Sequence, residues 1–417
     1  MRHILPILLL LLVLPVLPAP AQAQAQAQAP GDSLMRRYLA REGIPVTRHN
    51  RVRLLMSGHD KFADLFSAIR RARHHIHLEY FNFRNDSIAS TLFRLLAQKA
   101  REGVEVRALF DAFGNSSNNR PLRRRHLDSI RAQGIEIVKF DPLRFPYFNH
   151  IAHRDHRKIV VIDGRVGYTG GMNIADYYIH GLPKVGAWRD MHARIEGDAV
   201  RYLQGIFLTM WNRETGQHVG GPAYFPDMPA LPDSLARPVA IVDRTPHRSP
   251  RAMRRAYIAA IDAAQRTVQI VNPYFVPTRS VRRALKRALR RGKEVEIMIP
   301  SVSDVPFTPE AALYYVHRLM KRGARVYLYN GGFHHSKVMM VDSAFCTVGS
   351  ANLDARSLRH DYETNAFILH PATTAELTEM FARDRQASTL LTPEVWKKRS
   401  GWKKFVGWFA HLLGPVL

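Results

Sequence analysis

Two short stretches of this 417-residue chain carry the same reactive side chains at the same spacing. Each holds a histidine, a lysine two positions later and an aspartate five positions after the lysine: His156, Lys158 and Asp163 in the first stretch, and His335, Lys337 and Asp342 in the second. The two histidines are 179 residues apart (335 − 156), and so are the two lysines and the two aspartates. A duplicated half-site is the simplest explanation of this repeat.

The residues between each lysine and its aspartate are apolar, which predicts a buried strand. Alternate side chains on a strand share a face, so the histidine and the lysine of each pair are expected to project together. Each half would then present an imidazole beside a fixed positive charge. Such a pair suits an anionic substrate.

A second element follows each pair at an equal distance. It consists of small residues and an asparagine: Gly170-Gly171-Met172-Asn173 in the first half and Gly349-Ser350-Ala351-Asn352 in the second. Small residues let backbone N–H groups approach a ligand closely, and asparagine adds an amide donor. We therefore predict that four of these residues bind a phosphodiester together with the two lysines: Gly171, Asn173, Ser350 and Asn352.

Two histidines beside a bound phosphodiester can carry out a double displacement at phosphorus. One imidazole attacks phosphorus and forms a phosphohistidine, while the other protonates the leaving alcohol and later deprotonates the incoming one. Acid–base assistance of this kind contributes about 10²- to 10⁴-fold in rate. We predict no metal and no cofactor, because the lysines supply the positive charge. The symmetry of the motifs leaves open which histidine is the nucleophile.

The paired H-x-K-x₄-D and G-G/S-x-N motifs resemble those of the phospholipase D superfamily, and within it the chain is most similar to bacterial cardiolipin synthases. The resemblance covers roughly residue 50 to the C-terminus. Further matching segments are Trp188-Arg189-Asp190, Ile195-Glu196-Gly197, Ser350 to Leu358, and Tyr362-Glu363-Thr364-Asn365. The resemblance implies an α/β fold of two pseudo-twofold-related halves, each a mixed β-sheet flanked by helices, with the active site at their interface.

The resemblance also implies a phosphatidyltransferase that joins two phosphatidylglycerols into cardiolipin and glycerol, with His156 favoured as the nucleophile. Two alternatives stay open, a phospholipase D that releases phosphatidic acid and a nucleic-acid phosphodiesterase. The formal net charge of +26 favours an anionic partner without choosing between phospholipid and nucleic acid. We predict no nucleotide as a partner, because the sequence has no phosphate-binding G-x-x-x-x-G-K-[ST] loop.

The aspartates of the two stretches belong to the catalytic set by resemblance, but their spacing indicates a different place. Asp163 and Asp342 each follow their histidine by seven residues, an odd separation that turns them to the opposite face of a continuous strand. We expect them to stabilise the turn after that strand. A later carboxylate should orient the ring N–H of each histidine, and we predict Asp190 for the first half and Glu363 for the second.

Hydrophobic periodicity supplies the elements that position these residues. Helical and strand-like segments alternate after residue 60, and the same order returns after residue 250, which predicts two α/β units at 51–215 and 239–385. A glycine- and proline-rich linker at 216–238 joins them. An insertion in 141–155, rich in proline and aromatic residues, is either a lip that touches lipid or a packed surface loop.

The two ends of the chain predict where the protein works. Residues 1–23 have a basic start, an apolar run and a small-residue cleavage site, which predicts a signal peptide followed by a low-complexity spacer and N-terminal arm at 24–50. Export places the protein in the periplasm or at the outer face of a bacterial inner membrane. Residues 386–417 interleave lysines with aromatic residues, which predicts an amphipathic helix on an anionic membrane or a helix packed on the body. Cys346 is the only cysteine, which excludes an internal disulfide.

Overall fold

The computed structural model describes residues 30–142, 145, 152–229, 231–306 and 308–412. The predicted signal peptide, the start of the spacer and most of the proline-rich insertion lie outside these residues. The first described helix, α1 (Pro30–Arg41), packs on the second half of the protein, where Met35 and Leu39 are fully buried. The N-terminal arm therefore contacts the second half before the chain enters the first.

The first half is an α/β unit with one main sheet. Its strands are β1 (Asn50–Leu55), β2 (His75–Tyr80), β3 (Glu105–Asp111), β4 (Glu136–Phe140), β5 (Lys158–Ile162), β6 (Val166–Gly170), β7 (Trp188–Arg189) and β8 (His192–Gly197). Its helices are α2 (Gly58–Arg70), α3 (Ser87–Arg101), α4 (Ala112–Ser117), α5 (Arg124–Arg131), α6 (Tyr177–His180) and α7 (Val200–Thr215). The linker that follows contains a short 3₁₀ helix, Pro222–Tyr224.

The second half repeats this plan. Its strands are β9 (Val239–Arg244), β10 (Thr267–Val271), β11 (Glu294–Pro300), β12 (Arg325–Tyr329), β13 (Phe333–His334), β14 (Val338–Val341), β15 (Phe345–Gly349), β16 (Glu363–Ile368) and β17 (Ser388–Leu390). Its helices are α8 (Ala252–Ala263), α9 (Arg279–Arg290), α10 (Thr308–Met320), α11 (Ala355–Arg359) and α12 (Pro371–Gln386). Two short helices end the described chain, α13 (Pro393–Lys397) and α14 (Gly401–Leu412).

The two main sheets have equivalent strand orders. The first is β1-β8-β6-β5-β2-β3-β4, and the second is β9-β16-β15-β14-β10-β11-β12 with β17 added at its edge. Three neighbouring strands are parallel in each sheet, β2-β3-β4 in the first and β10-β11-β12 in the second. The other neighbouring strands are antiparallel. The predicted fold of two related halves with mixed sheets is therefore confirmed. A third sheet of only two strands, β7 and β13, pairs one half with the other.

An apolar layer between the halves fixes their relative position. It combines Ile159 and Val161 of β5 with Val338 and Met340 of β14, all of them buried. These residues alternate along each strand with Lys158 and Lys337, whose side chains therefore leave the other face. β5 and β14 thus hold the halves together, and the motif lysine of each half lies at or directly before the start of one of these strands.

The aspartates that end the two motif strands stabilise the turns behind them. Asp163 has φ +53°, and its carboxylate accepts hydrogen bonds from the backbone N–H groups of Arg73, His74 and His75. Asp342 has φ +54° and accepts three equivalent bonds from residues 265–267. Aspartate tolerates this left-handed conformation better than most residues. The expected turn role is confirmed, and the assignment of both aspartates to the catalytic set is wrong, because they lie at the far end of the strand.

Replacing Asp163 with alanine is expected to lower stability far more than turnover. The change removes a charged acceptor from three N–H groups and puts alanine at a positive φ, so we expect the free energy of unfolding to fall by about 2–4 kcal/mol. Asp163→Asn is the matched control, because it keeps the tolerance for this φ. Urea unfolding and steady-state kinetics measure the two effects, and a large fall in turnover at unchanged stability would contradict the prediction.

The C-terminal helix α14 packs on α10 by one narrow face. Gly407 lies so close to the carbonyl of Glu310 that a Cβ would be 2.6 Å from that oxygen, and the ring of His411 stacks on Tyr314 at 4.3 Å. The opposite face exposes large apolar side chains: Trp402, Phe405, Trp408, Phe409 and Leu412. Within the described part of the chain, no helix combines the length and apolar character needed to cross a bilayer.

Candidate active site

The two histidine–lysine stretches meet where the halves join. The backbone N–H of His156 donates to the carbonyl of Tyr362 at 3.1 Å, and Asp155 forms a β-bridge with the same residue. The backbone N–H of His335 donates to the carbonyl of Arg189 at 2.6 Å, beside the β7–β13 pair. The backbone of each histidine is therefore anchored to the opposite half.

Each histidine ring also contacts a carboxylate of the opposite half. Nδ1 of His156 lies 3.0 Å from Oε1 of Glu363, and Nδ1 of His335 lies 2.7 Å from Oδ2 of Asp190. The prediction that Asp190 serves the first half and Glu363 the second is therefore wrong, because the two carboxylates are exchanged. Strand pairing is the reason. Asp190 directly follows β7, which pairs with β13 beside His335, while Glu363 begins β16 at the bridge that anchors His156.

The two motif lysines are buried and influence each other. Lys158 and Lys337 each donate from Nζ to the carbonyl of the histidine two residues earlier, at 2.6 Å in both cases. Burial lowers the pKa of Lys158 to about 7, and the charge of Lys337 contributes to the lowering. Burial also lowers the pKa of Lys337 to about 8, against the attraction of Asp190 and Glu363. The charges of both halves therefore act within one site.

The histidines and carboxylates have matching protonation states. Burial and the neighbouring lysine lower the pKa of both histidines, to about 4 for His335. Burial opposes ionisation of Asp190, but Lys337 and His335 hold its pKa below the ordinary value, and His156 with its lysine does the same for Glu363. At neutral pH a neutral imidazole donates from Nδ1 to an ionised carboxylate. Nε2 is then the nitrogen that can act as nucleophile or base, and in His335 it lies 2.9 Å from Nζ of Lys337.

Anion binding to this site is expected to weaken as the pH rises above about 7, the pKa of Lys158 in the free protein. Below that pH the lysine is already charged, whereas above it the anion must draw a proton onto the lysine. Affinity should then fall by up to roughly tenfold per pH unit for each neutral lysine. Calorimetric titration with inorganic sulfate, in buffers of different ionisation enthalpy, measures both affinity and proton uptake.

Lys158→Arg is the matched control for this pH dependence. An arginine keeps its charge, so the fall in affinity should begin nearer pH 8, the pKa of Lys337. If the unmodified protein bound sulfate with the same affinity at about pH 7, about pH 8 and pH 9, the prediction would be contradicted.

The small residues of the second element serve the carboxylates rather than a ligand. The N–H of Gly171 donates to a backbone carbonyl at 2.8 Å, and a Cβ there would lie 2.2 Å from Oδ1 of Asp190. The N–H of Ser350 donates to the carbonyl of Thr364 at 3.0 Å, and its hydroxyl donates to Glu363. The prediction that Gly171 and Ser350 bind phosphate is therefore wrong, since their donors are occupied. Their small size instead leaves room for the carboxylates.

Asn173 and Asn352 occupy equivalent positions in the two halves and are each 5% exposed. Their backbone N–H groups are fixed by the hydroxyls of Tyr178 at 2.9 Å and Ser357 at 3.1 Å. Ser357 also donates to Glu363 at 2.6 Å. Neither asparagine side-chain oxygen has a partner among the described residues. Phosphate binding by these two amides stays a prediction.

A buried lysine outside the motifs supports the first asparagine. Lys61 of α2 is fully buried, and its Nζ donates to the carbonyls of Met172 at 3.1 Å and Asn173 at 2.9 Å. In the second half the hydroxyl of Tyr257 donates at 3.1 Å to the carbonyl of Ala351, the equivalent of Met172. Lys61 belongs to none of the motifs, and the local signal for it is a lysine among the apolar residues of a helical segment.

Arg157, between the histidine and the lysine of the first stretch, ties the two halves together. Its guanidinium pairs with Asp243 of the second half at 2.7 Å and with Glu79 of the first at 3.3 Å. Arginine, glutamate and the backbone around them are buried, so the pairing leaves little freedom to the adjacent His156. This contact lies on the opposite side of the strand from the lysine.

The fold has relatives among solved structures. Phosphatidylserine synthase of Haemophilus influenzae Rd KW20 matches 93% of this chain and 99% of its own, with a TM-score of 0.66 at 16% sequence identity. Polyphosphate kinase of Porphyromonas gingivalis matches 82% of this chain and 49% of its own, with a TM-score of 0.56 at 14% identity. These likenesses show a shared fold. The paired motifs, which fall within the match to a family model of a PLD-like domain, define an enzyme of the phospholipase D superfamily.

Sequence relatives narrow the class further. The family model described as "Cardiolipin synthase, PLD-like domain" matches residues 65–181 and 257–385. A cardiolipin synthase of Listeria monocytogenes serotype 4b (strain CLIP80459) is 37% identical over 382 residues, which are 91% of this chain and 78% of the relative. A cardiolipin synthase of Geobacillus kaustophilus is 36% identical over 374 residues, 89% of this chain and 74% of the relative. The chain belongs to the cardiolipin synthase family, whose members are phosphatidyltransferases.

Proposed function

We propose that the protein joins two phosphatidylglycerol molecules into cardiolipin and glycerol through a covalent phosphatidyl-histidine. The exchanged histidine–carboxylate contacts around two buried lysines carry this proposal, because they provide two oriented imidazoles and the charge that a phosphodiester requires. Relatives named cardiolipin synthase support the choice of substrate.

In the first step, Nε2 of His156 attacks the phosphorus of the donor phosphatidylglycerol. A P–N bond forms as the P–O bond to glycerol breaks, and His335 gives a proton to the leaving oxygen. The bound phosphodiester favours the protonated form of His335 because its negative charge offsets the repulsion of the lysines. Lys158 and Lys337 stabilise the charge on the non-bridging oxygens. The choice of His156 as nucleophile follows the family resemblance.

In the second step, a headgroup hydroxyl of the acceptor phosphatidylglycerol attacks the phosphohistidine. His335 removes the proton from this hydroxyl, a P–O bond forms, and the P–N bond to His156 breaks. One phosphodiester replaces another, so the reaction needs no nucleotide. A phospholipase D differs only in that water takes the place of the acceptor hydroxyl.

Product analysis separates the candidate functions. Purified protein is incubated with phosphatidylglycerol, and the lipids are resolved by mass spectrometry. The expected products are cardiolipin and glycerol in equal amounts. Phosphatidic acid as the main product would favour the hydrolase, and cleavage of plasmid DNA in a parallel reaction without any lipid product would favour the nucleic-acid phosphodiesterase.

The C-terminal helix provides the membrane contact in this proposal. Its outer face carries the exposed aromatic residues of α14, with Trp402 71% exposed, and its flanks carry Lys403 and Lys404. This composition is typical of a helix that lies in the interface of an anionic membrane. The inner face packs on α10, and the outer face is the one that we propose to contact the membrane.

The start of α14 lies toward a loop that is connected to the candidate active site. Gly407 contacts Glu310 and His411 contacts Tyr314, so α14 and α10 run in the same direction. The start of α14 therefore lies toward the loop at 301–306 that precedes α10. This loop exposes Val302 and Val305. Between them, Asp304 accepts a hydrogen bond from Tyr274, whose ring contacts His335. Lipid bound at α14 would therefore be close to the site.

A basic groove beside α10 adds an attraction to anionic lipid. Helix α9 contains six basic residues and no acidic one. A groove of about 560 Å³ lies along it, and its lining includes four basic residues of α9 and one that follows α10: Arg283, Lys286, Arg287, Arg290 and Arg322. Basic groups near an anionic bilayer contribute about 1 kcal/mol each.

Removing two aromatic side chains from the exposed face of α14 tests the membrane contact. The double variant Phe405→Ser, Trp408→Ser should bind phosphatidylglycerol vesicles at least about tenfold more weakly, because it loses apolar area that inserts into the interface. Leu235→Ser in the linker, which removes an exposed apolar side chain elsewhere, is the matched control. Vesicle sedimentation measures both, and equal binding by the double variant would remove α14 from the membrane contact.

We also propose that the protein is exported and acts as a peripheral protein at the outer face of the inner membrane or in the periplasm. The pattern of residues 1–23 supports this location. N-terminal sequencing of the mature protein after fractionation of the bacterial cell tests it, and an uncleaved protein in the cytoplasmic fraction would overturn it.

A further inference from the structure

Arg244 is a fully buried cation next to the candidate active site and belongs to none of the motifs. It ends β9 directly opposite Glu363 of β16, so both side chains leave the same face of the sheet. Its Nη1 donates to the carbonyl of Asp361, which fixes the position of the guanidinium. Arg244 is therefore held on the same side of the sheet as the carboxylate that contacts His156.

Two donors of this guanidinium lack an acceptor in the part of the chain that the structure describes. Nε and Nη2 of Arg244 are buried and have no hydrogen-bond partner among the described residues. Leaving a charged donor buried and unpaired is costly, so such a group indicates a position where a ligand oxygen would be bound. Burial lowers the pKa of Arg244 to about 10, against the attraction of Glu363, so the side chain is charged at neutral pH.

The first half has no cation at the position equivalent to Arg244; its own buried cation, Lys61, lies on α2 and donates to two backbone carbonyls. In the first sheet Leu55 pairs with His192, and in the second sheet Val242 pairs with the equivalent residue, Asn365. Leu55 and Val242 are therefore equivalent. Arg244 follows Val242 by two residues and so corresponds to Ser57, which follows Leu55 by two. The hydroxyl of Ser57 accepts the N–H of Asp60 at the start of α2 and brings no charge. The two half-sites therefore differ at this position, although their histidines and lysines are equivalent.

A reaction between two phosphatidylglycerols needs such a difference. Only the donor phosphate is attacked, and the motif lysines and asparagines are all assigned to it. The acceptor brings a second phosphate, three carbons away from the terminal hydroxyl that attacks. A buried cation for this second phosphate would hold the hydroxyl near the phosphohistidine, whereas a hydrolase that uses water has no use for it.

We propose that Arg244 binds the phosphate of the acceptor phosphatidylglycerol and so favours transfer to lipid over transfer to other hydroxyl groups. The inference rests on the proposed function. The guanidinium presents two adjacent donors, Nε–H and Nη2–H, which match two oxygens of one phosphate. Arg244 takes no part in bond making. The hydroxyl proton still passes to His335, and the P–N bond breaks as the new P–O bond forms.

Competition between two acceptors tests the role of Arg244. Full-length protein acts on phosphatidylglycerol vesicles in the presence of ethanol, and the ratio of cardiolipin to phosphatidylethanol is measured. Because ethanol has no phosphate, Arg244→Gln should lower this ratio about tenfold, and Arg244→Lys should lower it less. Damage to the fold or to the histidines would reduce both products in proportion and leave the ratio unchanged. Arg248→Gln, an exposed arginine in the segment after β9, is the control and should keep the ratio of the unmodified protein.

Each result has a defined meaning for the inference. An Arg244→Gln variant with an unchanged ratio overturns the role of Arg244 and leaves the proposed function standing. Unmodified protein that forms phosphatidylethanol but no cardiolipin overturns the acceptor assignment and keeps the phosphohistidine chemistry. Unmodified protein that forms neither product overturns the proposed function, and the inference about Arg244 falls with it.

Discussion

Replacing His156 or His335 with alanine is expected to abolish phosphatidyl transfer. Each histidine has its own task in a shared site, so neither can replace the other, and loss of one member of such a set lowers turnover by roughly 10⁴- to 10⁶-fold. Product formation from phosphatidylglycerol measures the effect. Full activity in either variant would contradict a site shared between the two halves.

The two histidine variants should differ in the species that accumulates. With His156→Ala no covalent intermediate can form, whereas His335→Ala should retain slow attack and lose the group that activates the acceptor. Acid quenching followed by mass analysis of the phosphopeptide identifies the nucleophile. A phosphatidyl group found on His335 in the His156→Ala variant would reverse the two roles.

Replacing Glu363 with glutamine is expected to lower turnover by about 10³- to 10⁴-fold while changing substrate binding little. The carboxylate accepts from Nδ1 of His156 at 3.0 Å and so selects the tautomer with a free Nε2. An amide at this position can donate instead, which favours the wrong tautomer. Steady-state kinetics should show the fall in kcat with nearly constant KM. Unchanged turnover would remove Glu363 from the site.

The exchanged pairing makes a second prediction for the same variant. Glu363→Gln should change the titration and tautomer of His156 and leave His335 unaffected, while Asp190→Asn should do the reverse. Nuclear magnetic resonance of the labelled histidine nitrogens measures both. An effect of Glu363→Gln on His335 alone would restore the pairing within each half that the sequence suggested.

The sequence predicted the architecture because the repeat and the hydrophobic periodicity are local properties. An identical spacing in two apolar strands is sufficient to predict two equivalent units. The odd separation of Asp163 from His156 is also a local property, and it correctly placed the aspartate at the turn.

The pairing of carboxylates could not be predicted in this way. Asp190 is close in sequence to the first motif, but which histidine it contacts depends on the pairing of β7 with β13 between the halves. The prediction that Gly171 and Ser350 bind phosphate was wrong for a related reason. Small residues permit either close approach of a ligand or close approach of a carboxylate, and only the packing of the neighbouring strand decides.

The buried cations outside the motifs were also beyond a motif search. Lys61 lies on a helix and Arg244 on an edge strand, each more than 90 residues before the motif histidine of its own half (156 − 61 = 95 and 335 − 244 = 91). They reach the site only because the sheets position them there. A charged residue at a position that periodicity assigns to the core is the local sign that such a cation exists.

The exchange of carboxylates and backbone contacts between the halves has a consequence for the partly folded chain. Neither half alone contains an imidazole in the reactive tautomer, because the carboxylate that selects this tautomer belongs to the other half. During synthesis, a partly folded chain consequently has no imidazole that is held in the tautomer needed to attack a phosphodiester. The reactive site is complete only after the two halves have docked, so a chain in which one half is still unfolded is expected to be inactive.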